Sequence, residues 1–147
     1  MFLAELLSYA TRHEQANGAL YLFIQDSIEW LDHAKGAIAN FHIVFMIQLS
    51  FHLGFMPNIE SGMSGDYFDL VDGCFAAHVP SHVHYLNKED SMRLVSLFRL
   101  DYKTRHLYSM SRIERNRCVE VILEYYYLHL PDFPEMKSFS VLQELFA

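Results

Sequence analysis

The chain has 147 residues, of which 52% are hydrophobic and 15% aromatic; that is enough to bury the core of one domain and too apolar for disorder. A formal charge of -7 and a pI near 5.6 exclude a surface that grips a phosphate backbone throughout, which needs a surplus of Lys and Arg. Two cysteines, Cys74 and Cys118, are too few for a disulfide framework and point to a reducing, cytoplasmic compartment.

The opening MFLAELLSYATRHEQ has no basic n-region or small-residue cleavage site and carries Glu5 early, so it does not read as a signal peptide. Phe2, Leu3, Leu6, Leu7 and Ala10 recur at helical spacing, as do Leu20, Phe23, Ile24, Ser27, Ile28 and Leu31. With Asn17-Gly18 as the break, two antiparallel helices are predicted. Beyond Gly36, Ala37 to Leu53 predicts a third helix that ends at Gly54, with Pro57 just beyond. It is apolar nearly all round and should be central. Asn40, His42, Gln48, Ser50 and His52 interrupt it too often for a membrane span.

From Pro57 to Leu86 the glycines, Pro80 and scattered polar residues abolish the helical period, which predicts an irregular insertion. Within it Tyr67 to Leu70 and Cys74-Phe75 can pair as a small two-stranded hairpin across Val71-Asp72-Gly73. Helical pattern resumes at Lys88-Glu89-Asp90-Ser91, runs through Val95 and Phe98, and predicts a further short helix around Tyr102 to Ser109. Ser111 and Glu114 have capping-box spacing and start a long helix with a stripe through Cys118, Val121, Ile122, Tyr125 and His129. Pro131 and Pro134 stop it, and a last short helix follows. The expected fold is all-α: one compact domain, 1–147, of about six to seven helices around a central buried one, with the insertion near 57–86.

Chemistry has few candidates. Cys74, His78, His82 and His84 offer a C-x3-H-x3-H-x-H run that could ligate zinc in a structural or hydrolytic site, but structural zinc sites mostly use two close cysteine pairs. No metal or other cofactor is expected. Cys118 and His129 lie about three helical turns apart on an apolar face, and Glu120 and Glu124 share a face with Arg117, the pattern of a salt-bridged surface. Without G-x-S-x-G, a Walker loop or G-x-G-x-x-G, nothing supports an enzyme or a small-molecule substrate. Tyr125-Tyr126-Tyr127 cannot form one stacking platform, because consecutive helical residues point about 100° apart. Seven of the eleven Lys and Arg fall between 93 and 117 (Arg93, Arg99, Lys103, Arg105, Arg112, Arg115, Arg117). Arg112 and Arg115 sit in or beside a first helical turn, against the dipole's preference. Nucleic-acid phosphate, the carboxylates of an acidic peptide, and a solvated face paired with Glu114 and Glu120 compete to explain them.

ANFHIVFMIQLSFHLGFMPNIE, YFDLVDGCF and MSRIERNRCVEVILEYYYLHLPDFPEMKSFSVLQELF together resemble the C-terminal helical domain of the RecO family of recombination mediators, particularly its Bacteroides-type branch. Nearly the whole chain is covered. Family members begin with an oligonucleotide-binding barrel, to which nothing here corresponds, so the resemblance implies a chain that starts where the helical domain starts. It further implies a non-catalytic role in DNA repair: gap repair, recombinase loading and strand annealing. RecR and the acidic tail of single-stranded-DNA-binding protein are the implied partners. Some members hold a four-cysteine zinc site where this chain keeps only Cys74, which makes a retained zinc less expected. Lacking the barrel and being acidic, the chain should bind single-stranded DNA weakly or not at all. The implied tail ends in an apolar residue with a free carboxylate, so its receptor needs an apolar notch rimmed by cations. Lys103, Arg105, Arg112 and Arg115 are the expected rim.

Overall fold

The structure, a computed structural model, describes residues 2–12, 17–34, 40–60, 67–98 and 109–145. Among them are six helices and three short strands, in the order α1 (Phe2–Ala10), α2 (Gly18–His33), α3 (Phe41–Leu53), β1 (Tyr67–Asp69), β2 (Cys74–Ala76), β3 (Tyr85–Leu86), α4 (Lys88–Phe98), α5 (Arg112–His129) and α6 (Phe139–Leu145). The fold is the mostly helical one expected. The predicted start of α3 at Ala37 and all but the last residue of the helix predicted around Tyr102 to Ser109 fall outside the described residues, and Ser109 is not helical.

α3 is central, as its all-round apolarity predicts. Ile43, Val44, Met46 and Leu49 are fully inaccessible, and α2, α4 and α5 all pack on it. Gly54 ends it in the left-handed region at φ 88°. There the Gly54 amide donates to the Phe51 carbonyl and the Phe55 amide to the Ser50 carbonyl, the paired bonds of a Schellman stop. α1, expected to pair with α2, instead has its principal element contact with α6. The Glu5 carboxylate explains this, since its two oxygens accept the Lys137 and Ser138 amides at 2.8 Å each.

α5 is the second buried helix. Its Ser111–Glu114 capping box is complete, with the Ser111 amide donating to Glu114 Oε2 at 2.7 Å and the Glu114 amide to Ser111 Oγ at 3.2 Å. The predicted stripe is widened by Val119, Leu123 and Tyr126, which are buried as well. Tyr126 hydrogen-bonds the Met46 carbonyl of α3 at 2.5 Å, so its hydroxyl is buried without losing its partner. Tyr125 does the same with the Phe55 carbonyl, whereas Tyr127 lies at the boundary, partly exposed, with its hydroxyl accepting the Met136 amide. The three tyrosines therefore serve the core and its boundary.

The insertion holds more order than a hairpin. A three-stranded antiparallel sheet runs in the order β2-β1-β3, with Phe68 opposite Phe75 on one side and Leu86 on the other. Phe68, Leu70 and Leu86 pack with Leu94 of α4 and Val121 and Tyr125 of α5, forming a second, smaller core. Ser91 ties the sheet to α4, accepting the Phe68 amide and donating to the Leu86 carbonyl.

Candidate partner-binding site

The Arg-rich start of α5 lies beside α4, and acidic side chains of both helices hold Arg93 of α4 and Arg117 of α5. Arg93 reaches Glu89 and Asp90 on its own helix at 3.3 Å each and Glu114 of α5 at 3.7 Å. Arg117 reaches Asp90 at 3.1 Å and Glu120 at 3.7 Å. Asp90 therefore bridges two arginines across the α4–α5 seam. The Ser111 amide and then its hydroxyl hold the Glu114 carboxyl below the ordinary carboxylate range, so Glu114 stays charged opposite Arg93.

Of the predicted rim, Arg112 is exposed on the first turn. Arg115 is half-buried, and its Nε–H donates to Asn40 Oδ1 at 3.2 Å at the start of α3, so it also ties α5 to the central helix. Lys103 and Arg105 fall outside the described residues. Just past Arg112 the seam forms a narrow notch with Leu94, Leu97, Cys118 and Val121 as its floor and Asp90, Arg93 and Arg117 at its rim. Its volume is about 10 Å³, room for about one water-sized group. The notch combines an apolar floor with a rim of Arg93 and Arg117, both paired with Asp90. Asp90 and Arg93 are three residues apart, a visible local pair; their meeting with Arg117, 24 or more residues away, has no local signal.

The candidate metal ligands separate. His82 Nε2 lies 3.0 Å from Asp69 Oδ2, and the His84 amide donates to His82 Nδ1, so the ring proton of a neutral His82 sits on Nε2. His84 Nδ1 pairs with Glu124 Oε1 of α5 at 2.8 Å, which takes Glu124 away from Arg117. Cys74 is half-buried on β2 and His78 is exposed. Among the described residues no three His, Cys, Asp or Glu side chains group as metal ligands.

Cys118 and His129 also point to different partners. The Cys118 thiol contacts Met110 Sδ at 3.7 Å, and burial pushes its pKa up to about 11, the reverse of an activated nucleophile. His129 Nε2 hydrogen-bonds the Leu70 carbonyl at 2.7 Å. No helix among the described residues is long and apolar enough to cross a membrane.

Comparison with known proteins agrees with the resemblance. Residues 1–138 match the family described as "Recombination protein O C terminal". The chain is 46% identical over its whole length to the "DNA repair protein RecO" of Phocaeicola vulgatus, 48% identical over 99% of its length to that of Bacteroides fragilis, and 34% identical over 99% to that of Porphyromonas gingivalis. It spans 60 to 61% of the length of these relatives. No solved structure matches it.

Proposed function

Because the chain belongs to the recombination protein O C-terminal family, we propose that it is the helical, non-catalytic interaction domain of a mediator of DNA repair and recombination. It acts in the cytoplasm at single-stranded gaps, in recombinase loading and strand annealing. The relatives that carry this stretch are each named a DNA repair protein, and that observation carries the reading. The domain works by holding partners: RecR, and the acidic tail of single-stranded-DNA-binding protein.

For the tail, the receptor proposed is the first turn of α5, with Arg112 and Arg115, and the notch rim of Arg93 and Arg117; Lys103 and Arg105, which the sequence also nominates, lie outside the described residues. An arginine exposed at a helix N-terminus favours a terminal carboxylate, and the residue that bears it would lie over the α4–α5 seam, because the notch itself has room for only about one water-sized group. The single-stranded DNA itself is held chiefly by parts of the full-length protein other than this acidic domain.

An acidic peptide with a free C-terminal carboxylate and an apolar last residue, titrated against the chain, tests the receptor. Arg112→Glu should weaken binding about tenfold or more, since a charge-assisted contact becomes a repulsion. Amidating the peptide's C-terminus should weaken it comparably. Arg115→Glu should also weaken it, but that variant is read together with its thermal stability because it loses the Asn40 bond. Unchanged affinity in Arg112→Glu with full helical circular dichroism would reject the site.

A further inference from the structure

The solvent-facing arc of α2 has a composition that its own folding does not require. The helix buries Leu20, Phe23 and Ser27 and packs on α3, yet Tyr21, Leu22 and Ile28 stand 67%, 57% and 51% exposed on its far side. Tyr21, Ile24 and Ile28 follow one another at helical spacing, and a shallow depression of about 420 Å³ runs along them, bordered by Gln25, Glu29 and Asp32. An exposed apolar row rimmed by polar groups marks an interaction surface more often than a solvated face.

The rim has one sign of charge. Glu29 and Asp32, three residues apart, border the depression, and residues 17–34 contain no Lys or Arg. Among the described residues neither carboxylate forms an ion pair, whereas Glu89, Asp90, Glu114 and Glu120 are all paired with Arg93 or Arg117. Like charges at this spacing repel along a helix. They also occupy the C-terminal half of α2, where the helix dipole disfavours anions. Both local costs are relieved by a cationic partner laid along the arc.

We propose that this face of α2 docks a basic amphipathic helix of a partner protein. Its apolar side chains seat along Tyr21, Ile24 and Ile28, and its Lys or Arg side chains meet Glu29 and Asp32, the helix-in-groove mode with charge selecting the partner. Phosphate-bearing partners are repelled by the same carboxylates. The surface is separate from the α5 receptor, so either can hold or fail alone.

The probe is a peptide of about 18 residues with Leu and Lys at helical spacing, compared with a scrambled peptide of the same composition. Saturable binding of the amphipathic peptide is expected, weakened about tenfold by Tyr21→Ser with Ile28→Ser, and about tenfold by Glu29→Lys with Asp32→Lys. All variants should keep the parent's helical signal and melting midpoint within a few degrees, since the altered side chains are exposed. The inference fails if the amphipathic peptide does not bind, if the scrambled peptide binds equally well, or if both double variants bind with parental affinity. Sedimentation that shows self-association abolished by the same substitutions would assign the face to a second copy and equally overturn it.

Discussion

Gly73 shows how one residue can be required twice. It closes the β1–β2 turn in the left-handed region at φ 69°, and a Cβ built there would lie 2.9 Å from the Tyr125 hydroxyl oxygen. That oxygen is not free to retreat, because Tyr125 donates to the Phe55 carbonyl and its ring is part of the smaller core. Gly73→Ala should therefore cost about 2 kcal/mol or more, backbone strain plus a displaced tyrosine, read as a lowered urea midpoint. Double substitution with Tyr125→Phe should recover part of the loss; a single variant as stable as the parent would show that the turn relaxes freely. His42 carries a pH dependence of its own. It packs between Phe2 and Phe41, and burial pushes its pKa down to about 4. Above its ordinary value of 6.5 it is neutral whether folded or unfolded and costs nothing. As pH falls below that value the unfolded chain takes up the proton first, so stability declines until the folded pKa is passed. Between pH 7 and pH 5 this amounts to about 2 kcal/mol, and His42→Gln should remove that part of the pH slope in chemical denaturation while leaving the carboxylate part.

At the scale of elements, legibility tracks how local the determining contacts are. α5 was readable because a capping box, a periodic stripe and two prolines lie within its own sequence, and the end of α3 because Gly54 and Pro57 adjoin it. The β1–β2 hairpin was readable from its turn. β3 was not, since the two residues Tyr85–Leu86 have no period and become a strand only by pairing with β1. The pairing of α1 with α6 was hidden for the same reason, resting on one carboxylate 132 residues from the amides it holds. Of the candidate site, Arg112 and Arg115 were legible as misplaced cations on a first turn, while the Asp90 bridge between Arg93 and Arg117 arises only when α4 lies against α5. The Glu5 contact supports a prediction about one element. Glu5→Gln keeps a single acceptor and turns an NH2 group toward a backbone N–H, so one of the two amides loses its partner, at a cost of about 1 kcal/mol. Amide exchange should accelerate in α6 while protection in α3 and α5 persists. Uniform loss across all helices would mean that α6 and the core unfold as one unit.

For the whole molecule the decisive feature is how charge is spent. The chain carries seven more acidic than basic residues, and the basic ones gather between 93 and 117. There Arg93 and Arg117 are already neutralised by Glu89, Asp90, Glu114 and Glu120, and Arg115 is turned toward Asn40. A phosphate backbone laid across this cluster would have to displace those carboxylates and then face the surplus negative field of the domain. A single carboxylate at a peptide end asks much less, needing one or two cations and an apolar neighbour. The two cases differ in their response to salt, because each phosphate neutralised releases counterions and steepens the dependence. For the chain alone, oligothymidylate affinity at physiological ionic strength should be weaker than about 100 µM, with a log–log salt slope no steeper than about -1.5, equivalent to about two phosphate contacts. Fluorescence anisotropy over a salt series measures both quantities. Micromolar binding with a slope of about -3 or steeper would mean that the 93–117 cluster engages phosphate despite its acidic partners, and would overturn the proposed partner-holding role in favour of holding the strand itself.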